Sequence, residues 1–533
     1  MSLDKITTLI ELLEFRADST PQNTAFTFKD QSFTYQHLWE KINLFAEQLR
    51  VQGVQRGERV ILVFPNGQEF FYAFYGAQRI GAIPVPIAPV AGAERILGIA
   101  QLAKSKLVIV PSDTTAGMVE SFKSQAEGYG IDLFKANLEG APSEGIEFEP
   151  VLPDDIAFIQ YTSGSTGLPK GVMISHDNLL TNVRQMIAGM EITTDDVFVS
   201  WLPTYHDMGL ILMTMAPFYL GTLVHLLPTS LKNLKPWLEA IQAHRGTFTA
   251  APDFAYRLLF RHIQTPEDYD LSSLRVALNA AEHVRAETVN RFHESFQLEN
   301  VMVAGYGLAE VTVGVSMWPP GTKEKVDPKG YVSVGPPFPD VEIKIVKDGG
   351  ESLPPDEVGE IAIKSVANSR GYFDQPEATS ELDWDEGYIL SGDLGYLDGE
   401  GSLFIVGRKK NIIKYIGRTV APKEIEEAVD SIEAVRYSAA IGVDKGRIEG
   451  EQTYVFAEIR DGEARSEDEL HEVVIVIVNR VHDRMGFRPA RVYLLKPKSI
   501  PQTHNGKIQH QKLKEKYLDR SLFTEGRILY PHY

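Results

Sequence analysis

The sequence predicts an α/β protein with a large N-terminal domain of parallel sheets covered by helices, a strand-rich subdomain, and a small α+β C-terminal domain. Three observations carry this. Short apolar, β-rich runs alternate with helical stretches through the first half of the chain, the order that builds parallel sheets. From about Gly330 the helices fade, and "VEIKIVKDGGESLPPDEVGEIAIKS" alternates with period two and turns on Gly and Pro. Beyond "GRKKNIIKYIGRTVAPKEIEEAVDSI" the pattern becomes mixed α and β.

The elements follow in order. The opening "MSLDKITTLIELLEFRADSTPQNTAF" reads as a short amphipathic helix on Ile6, Leu9, Ile10 and Leu13, followed by a loop. Acidic residues interrupt it and it has no apolar h-region, so it is not expected to be a signal peptide. "RVILVF" (59–64) is a strand, "GQEFFYAFYGAQRIG" (67–81) a helix with a Gly stop, and "AIPVPI" and "KLVIVPS" are strands again. The alternation continues through "VFVSWLP", "GTLVHLLP" and "RVALNAAE". The apolar stretch 209–228 approaches the length of a membrane span. Pro217, Gly221 and His225 interrupt it, which predicts a buried helix followed by a buried strand and no membrane span. A boundary near Asn411 divides the chain into 1–410 and 411–533.

Composition bounds the function. The 533 residues suggest three or four lobes at ~150 residues each. Hydrophobic residues make up 43%, enough for a packed core. A net charge of −19 repels phosphate backbones and argues against a nucleic-acid partner. The absence of cysteine removes disulfides, thiolate metal sites and a Cys nucleophile, and fits a cytoplasmic setting.

The chemistry concentrates in "TSGSTGLPKG", which follows the strand-like "DIAFIQY". Glycines let backbone N–H groups turn toward one point, hydroxyls add donors, and Lys170 supplies a point charge. That combination suits phosphate oxygens, whereas an ordinary polar loop has no need of it. The Walker spacing GxxxxGK[ST] is absent, because Lys170 stands three after Gly167 and precedes Gly171. A P-loop kinase is therefore disfavoured. "VAGYGLAEVT" places the carboxylate of Glu310 after a strand, and a carboxylate near bound phosphates commonly holds magnesium through oxygen. "LSGDLGYLDGEGSLFIVGRKKN" adds Asp393, suited to a ribose diol, and Arg408. "IPQTHNGKIQH" presents Lys507 in a Gly-flanked loop.

Together, "YTSGSTGLPKG", "YGLAE", "SGDLG", "GRKKNIIK" and "NGKI" stand in the order of the acyl-adenylate-forming enzymes, which the whole chain resembles. Within that superfamily, "IQYTSGSTG", "WLPTYHDMGL" and "YGLAEVT" are most similar to fatty acyl-AMP ligases, and the chain is also similar to acyl-CoA synthetases. The resemblance implies ATP and Mg2+ as cofactors and a mobile C-terminal domain. It implies that Thr162, Ser163, Gly164, Ser165, Thr166, Gly167 and Lys170 wrap the ATP phosphates. Asn279, Ala281 and Glu282 would line the adenine, with Tyr306 stacked on it and Gly307 alongside. Glu310 would hold magnesium, Asp393 the ribose hydroxyls, and Arg408 would assist there. His206 would stand near the substrate carboxylate, and Lys507 would bridge that carboxylate and the α-phosphate.

The implied reaction is activation of a fatty acid as acyl-AMP with release of pyrophosphate, followed by transfer to the phosphopantetheine thiol of an acyl carrier protein. An ordinary acyl-CoA synthetase using coenzyme A stays open. The fatty acyl-AMP ligases carry an extra segment, expected between Glu310 and Gly359, and that stretch is short here. "KYIGRTVAPKEIE" also leans toward the CoA ligases, and the usually acidic hinge position holds Asn411. Amino-acid activation is the further alternative, because Asp207 follows His206; a non-catalytic binding protein is disfavoured by the intact motifs.

Overall fold

The computed structural model describes residues 3–135, 137–143, 147–162, 169–348, 350–415, 418–445, 451–503 and 507–531. An eight-stranded sheet forms its centre. Its strands run, side by side, Ser316–Met317, Met302–Tyr306, Val276–Asn279, Phe248–Ala251, Phe198–Ser200, Val224–Leu226, Thr24–Phe28 and Gln31–Thr34. All inner pairings are parallel, as the strand–helix alternation predicts. The two edge pairings are antiparallel, because tight connections allow a strand to fold straight back. A second sheet of Ile83–Pro86, Arg59–Leu62, Leu107–Val110 and Asp132–Lys135 is parallel throughout.

Local chemistry sets the helix starts. The N-terminal helix Leu9–Ser19 begins at Thr8, whose hydroxyl accepts the Glu11 N–H at 3.1 Å while the Glu11 carboxylate accepts the Thr8 N–H. Ser175 and Asn178 make the same reciprocal cap at the start of His176–Gly189. His176 is buried and its Nδ1 accepts the Leu9 N–H at 3.3 Å, tying the two helices together. Burial pushes this imidazole down to about 3, so it stays neutral and structural.

The stretch with membrane-like length is a π-helix, Met208–Met215, continued by Ala216–Leu220 and then the strand Val224–Leu226. All eight residues of the π-helix are buried in the core. Among the described residues no helix is long and apolar enough to cross a membrane.

The strand-rich part is an antiparallel sheet of Glu342–Val346, Gly359–Lys364, Ile389–Leu397 and Leu403–Arg408. After a 3-10 turn at Lys409–Asn411 the chain builds a third architecture. Its sheet joins Val435–Asp444, Glu451–Ile459, Arg491–Leu495 and Ile528–Tyr530. The helices Pro422–Asp430 and Glu467–Met485 pack on each other beside this sheet. Most buried hydrophobic residues from Ile413 onward fall in two clusters distinct from the one that spans Ile6 to Leu403, while Ala421 packs with Tyr331, Phe404 and Val406.

Candidate active site

The predicted phosphate loop is flanked by two strands that pair with each other antiparallel. Strand Ile156–Thr162 pairs with Lys170–Ser175, and Thr162 stands opposite Lys170. Ser163, Gly164, Ser165, Thr166 and Gly167 lie outside the described residues. Gly171 is required next to Lys170, since a Cβ there would come within 2.8 Å of the Tyr161 ring. The Lys170 ammonium lies 4.6 Å from the centroid of the Tyr372 ring. The Tyr372 hydroxyl in turn donates to Glu310 Oε1 at 2.8 Å. Tyr372 thus joins two predicted site residues that stand 140 positions apart in sequence.

Glu310 sits in a 3-10 turn just past strand Met302–Tyr306. The turn is tight. A Cβ on Gly307 would fall 1.7 Å from the Val313 carbonyl oxygen. Thr312, a buried β-branched residue, is held at φ +66°, a conformation such residues rarely adopt. Among the described residues, Glu310 Oε1 is committed to Tyr372, and no group of three His, Asp or Glu side chains forms a metal cage. The second carboxylate oxygen is suited to a hard cation that arrives already coordinated by phosphates.

A second group forms around Asp393. The Tyr306 hydroxyl donates to Asp393 Oδ2 at 2.7 Å, and Arg408 Nε approaches Oδ1 at 2.9 Å. Register brings the last pair together, because Asp393 stands directly opposite Arg408 on adjacent strands. Asp393 pulls the Arg408 guanidinium above its ordinary value, while Tyr306, Glu310 and Tyr372 add to that effect. The Asp393 and Glu310 groups are therefore neighbours. Lys410, which the sequence reading passed over, belongs here too. Burial, Arg408 and Lys170 push its ammonium down to about 8 against the pull of Asp393. Three cations gathered this closely form a field suited to polyphosphate.

The third group is the loop after Val276–Asn279. Asn279 and its neighbour Ala251 end two parallel strands, and Asn279 pairs on its other side with Ala304 of the parallel strand Met302–Tyr306, at the carboxyl edge where open α/β sheets bind ligands. Asn279 Nδ2 donates to Asp253 Oδ1 at 3.1 Å, and its buried Oδ1 has no partner among the described residues. Ala281 is held at φ +68°, a local strain common at ligand sites. Glu282 accepts the Phe254 N–H. Burial and then Asp253 raise its carboxyl above the ordinary range.

His206 precedes the π-helix and pairs through Nδ1 with Asp207 Oδ1 at 2.6 Å. The same Asp207 oxygen accepts the Met208 N–H at 2.7 Å. Asp207 is thus engaged within its own turn, an arrangement that does not favour a free anchor for a substrate ammonium.

Lys507 reaches this assembly from the end of the chain. Its N–H donates to Thr503 Oγ1 at 3.1 Å; residues 504–506 lie outside the description. Burial pushes the Lys507 ammonium below its ordinary value, while Glu282 and Asp207 pull it back up; Arg408 and Asp393 also act on it. One lysine therefore feels members of the His206, Asn279 and Asp393 groups at once. The arrangement can gather several anions around one cation.

The chain is similar to known proteins over most of its length. The family model described as "AMP-binding enzyme" matches residues 13–373. A medium-chain-fatty-acid–[acyl-carrier-protein] ligase, JamA, of Moorena producens is 30% identical over 578 aligned positions, covering 98% of this chain and 97% of the relative. The long-chain-fatty-acid–AMP ligase FadD26 of Mycobacterium marinum is 31% identical over 577 positions, covering 95% and 96%. Both alignments are longer than the 533-residue chain, so these relatives hold residues that it lacks. A solved structure from work on fatty acyl-adenylate ligases of E. coli and L. pneumophila superposes with a TM-score of 0.87 at 26% identity, covering 98% of this chain and 100% of that one. The fold, the ordered motifs and the matched span agree, and the chain belongs to the AMP-binding enzyme family of the acyl-adenylate-forming superfamily.

Proposed function

We propose that the protein activates a fatty acid as its acyl adenylate and passes the acyl group to the phosphopantetheine thiol of an acyl carrier protein. The observation that carries this reading is the pair of contact chains Lys170–Tyr372–Glu310 and Tyr306–Asp393–Arg408, in a chain similar over nearly its whole length to fatty acyl-AMP ligases. In the first step a carboxylate oxygen attacks the α-phosphorus of ATP, the new O–P bond forms, and the bond to pyrophosphate breaks with its electron pair on the leaving group. The difficulty is bringing anions together, so the protein's task is positioning and charge neutralisation. Thr162, Lys170 and the intervening loop take the phosphates, with Arg408 and Lys410 adding positive charge. Asp393 takes the ribose hydroxyls, and Tyr306 and Gly307 with Asn279, Ala281 and Glu282 take the adenine. Lys507 and His206 orient the substrate carboxylate. Glu310 would hold Mg2+, which supplies further neutralisation of the phosphates when bound.

In the second step the carrier's sulfur attacks the acyl carbonyl, a thioester forms, and AMP leaves with the thiol proton lost to solvent. Residues 1–410 and 411–533 act as two domains, and movement of the smaller one about Asn411 withdraws Lys507 to admit the thiol. The names of JamA and FadD26 support a fatty-acid substrate. The buried apolar run beginning at Met208, beside His206, supports an alkyl chain over an amino acid. Each buried CH2 is worth roughly 0.8 kcal/mol, so affinity rises about four-fold per carbon until the tunnel ends.

A second acceptor, coenzyme A, is favoured by one observation: the chain is shorter than its fatty acyl-AMP ligase relatives, and the stretch between Glu310 and Gly359 is brief. The test has two arms on one preparation. Pyrophosphate release is measured over a ladder of fatty acids and against free amino acids. Transfer is then measured to several carrier proteins and to coenzyme A. Faster adenylation of an amino acid than of a medium-chain fatty acid overturns the substrate class. A higher kcat/KM for coenzyme A than for every carrier makes the protein an acyl-CoA synthetase.

A further inference from the structure

The contacts that bring Lys507 to the site run through residues with no assigned role. His510, three positions after Lys507, places Nε2 2.7 Å from Glu426 Oε1 on helix Pro422–Asp430. Both side chains are largely buried, and His510 also meets Asn411 at 3.5 Å. The same helix presents its next turn to the large lobe. Asp430 Oδ2 accepts from Arg285 Nη2 at 3.1 Å, and Glu427 Oε1 lies 3.3 Å from His283 Nε2. The Lys423 ammonium packs against the His283 ring nitrogens at 2.6 and 2.8 Å and over the Tyr331 ring at 3.8 Å. Glu424 accepts from the Tyr331 hydroxyl at 2.8 Å. His283 and Arg285 directly follow Asn279, Ala281 and Glu282 in the chain.

One short helix is therefore gripped on one side by the loop proposed to line the adenine, and grips on the other the segment that carries Lys507. Burial and Lys423 push the His283 imidazole down to about 4, so it meets Glu427 as a neutral ring, whereas Arg285 and Asp430 are a largely buried ion pair, whose desolvation cost is met only where the geometry is fixed. Lost as a set, these contacts would take Asp430 from Arg285 and Glu427 from His283, while Glu427 keeps Arg484 and Asp430 keeps Ser438 within the small lobe.

We infer that Glu427 and Asp430, acting through His283 and Arg285, are positioning residues that lock the small lobe in the pose where Lys507 serves adenylation. This rests on the functional reading above. Thiol transfer, which needs Lys507 withdrawn, does not use the lock. Loop and helix also share it, so nucleotide held at Asn279–Glu282 favours docking, and docking favours nucleotide.

The test compares half-reactions in the full-length protein. Fatty-acid-dependent ATP–pyrophosphate exchange reports adenylation, and thioester formation from supplied acyl-AMP reports transfer. Glu427→Gln with Asp430→Asn should lower exchange by about ten-fold or more and change transfer by no more than about two-fold. The exchanged pair Arg285→Asp with Asp430→Arg should recover part of the exchange lost in Asp430→Arg alone. Equal loss of both half-reactions, or unchanged exchange, overturns the lock. A readout independent of activity keeps the two readings apart. The chain has no cysteine, so Glu299→Cys and Glu472→Cys can carry a dye pair across the lobes. The inter-dye distance distribution should broaden in the Glu427→Gln, Asp430→Asn background. An unchanged distribution overturns the lock, whereas a broadened one in a protein that adenylates no fatty acid sustains the lock and removes the proposed function.

Discussion

The Tyr306 hydroxyl and Asp393 Oδ2 stand 2.7 Å apart although 87 residues separate them in the chain. Arg408 occupies the opposite carboxylate oxygen, so Asp393 is fixed from two sides. Tyr306→Phe keeps the ring and frees one carboxylate oxygen. It should raise the KM for ATP about ten-fold or more, the worth of one hydrogen bond to a charged group. Asp393→Ala also strands Arg408 and should cost more, read as kcat/KM for ATP in pyrophosphate exchange. Equal effects of the two changes would show that Asp393 has no role beyond its bond to Tyr306.

Glu310 keeps one oxygen on Tyr372 and has the other for a cation. Glu310→Gln retains the Tyr372 bond but removes the charge. Activity should fall about ten-fold or more at low magnesium and recover partly as magnesium is raised, since a weakened site fills by mass action. Tyr372→Phe should give a smaller, magnesium-independent loss. Full activity of Glu310→Gln at ordinary magnesium would take Glu310 out of the site.

Lys507 titrates below the ordinary lysine value of 10.5, because burial outweighs the attraction of Glu282 and Asp207. A lowered value means that the ammonium is lost at a lower pH than from an exposed lysine. Adenylation should therefore show an alkaline limb in kcat/KM below pH 10.5 that thioester formation from supplied acyl-AMP lacks. Lys507→Ala should abolish the first reaction and spare the second. Loss of both would mean that the substitution disturbs the fold.

Glu282 gives a stability prediction with the opposite sign from the usual carboxylate. Burial raises its value in the folded protein above 4.5. Between 4.5 and that raised value the folded state binds more protons than the unfolded one, so this group's contribution falls as pH rises through the window. Glu282→Gln still accepts the Phe254 N–H and does not titrate. Denaturation midpoints across pH 4 to 8 should flatten in that variant relative to the unaltered protein. Parallel curves would show that Glu282 does not titrate there.

Much of this protein is legible one residue at a time. The alternation of short apolar runs with helices fixes parallel sheets, because strand pairing and helix cover follow from periodicity. The motifs around Thr162, Glu310, Asp393 and Lys507 carry their chemistry in residue type and spacing. Other features have no local signal. Tyr372 and Lys410 are ordinary in sequence and acquire meaning only beside Lys170 and Arg408. Asp207 leaves the amine-anchor alternative open in the sequence until its bonds to His206 and Met208 are seen. The grip of Lys423, Glu427 and Asp430 on His283 and Arg285 joins segments about 140 residues apart. Local propensity acts over a few residues along the chain, whereas charge pairing and desolvation act over a few ångströms in space. The sequence by itself therefore determined which chemistry was on hand, and the tertiary structure alone decided which charges meet.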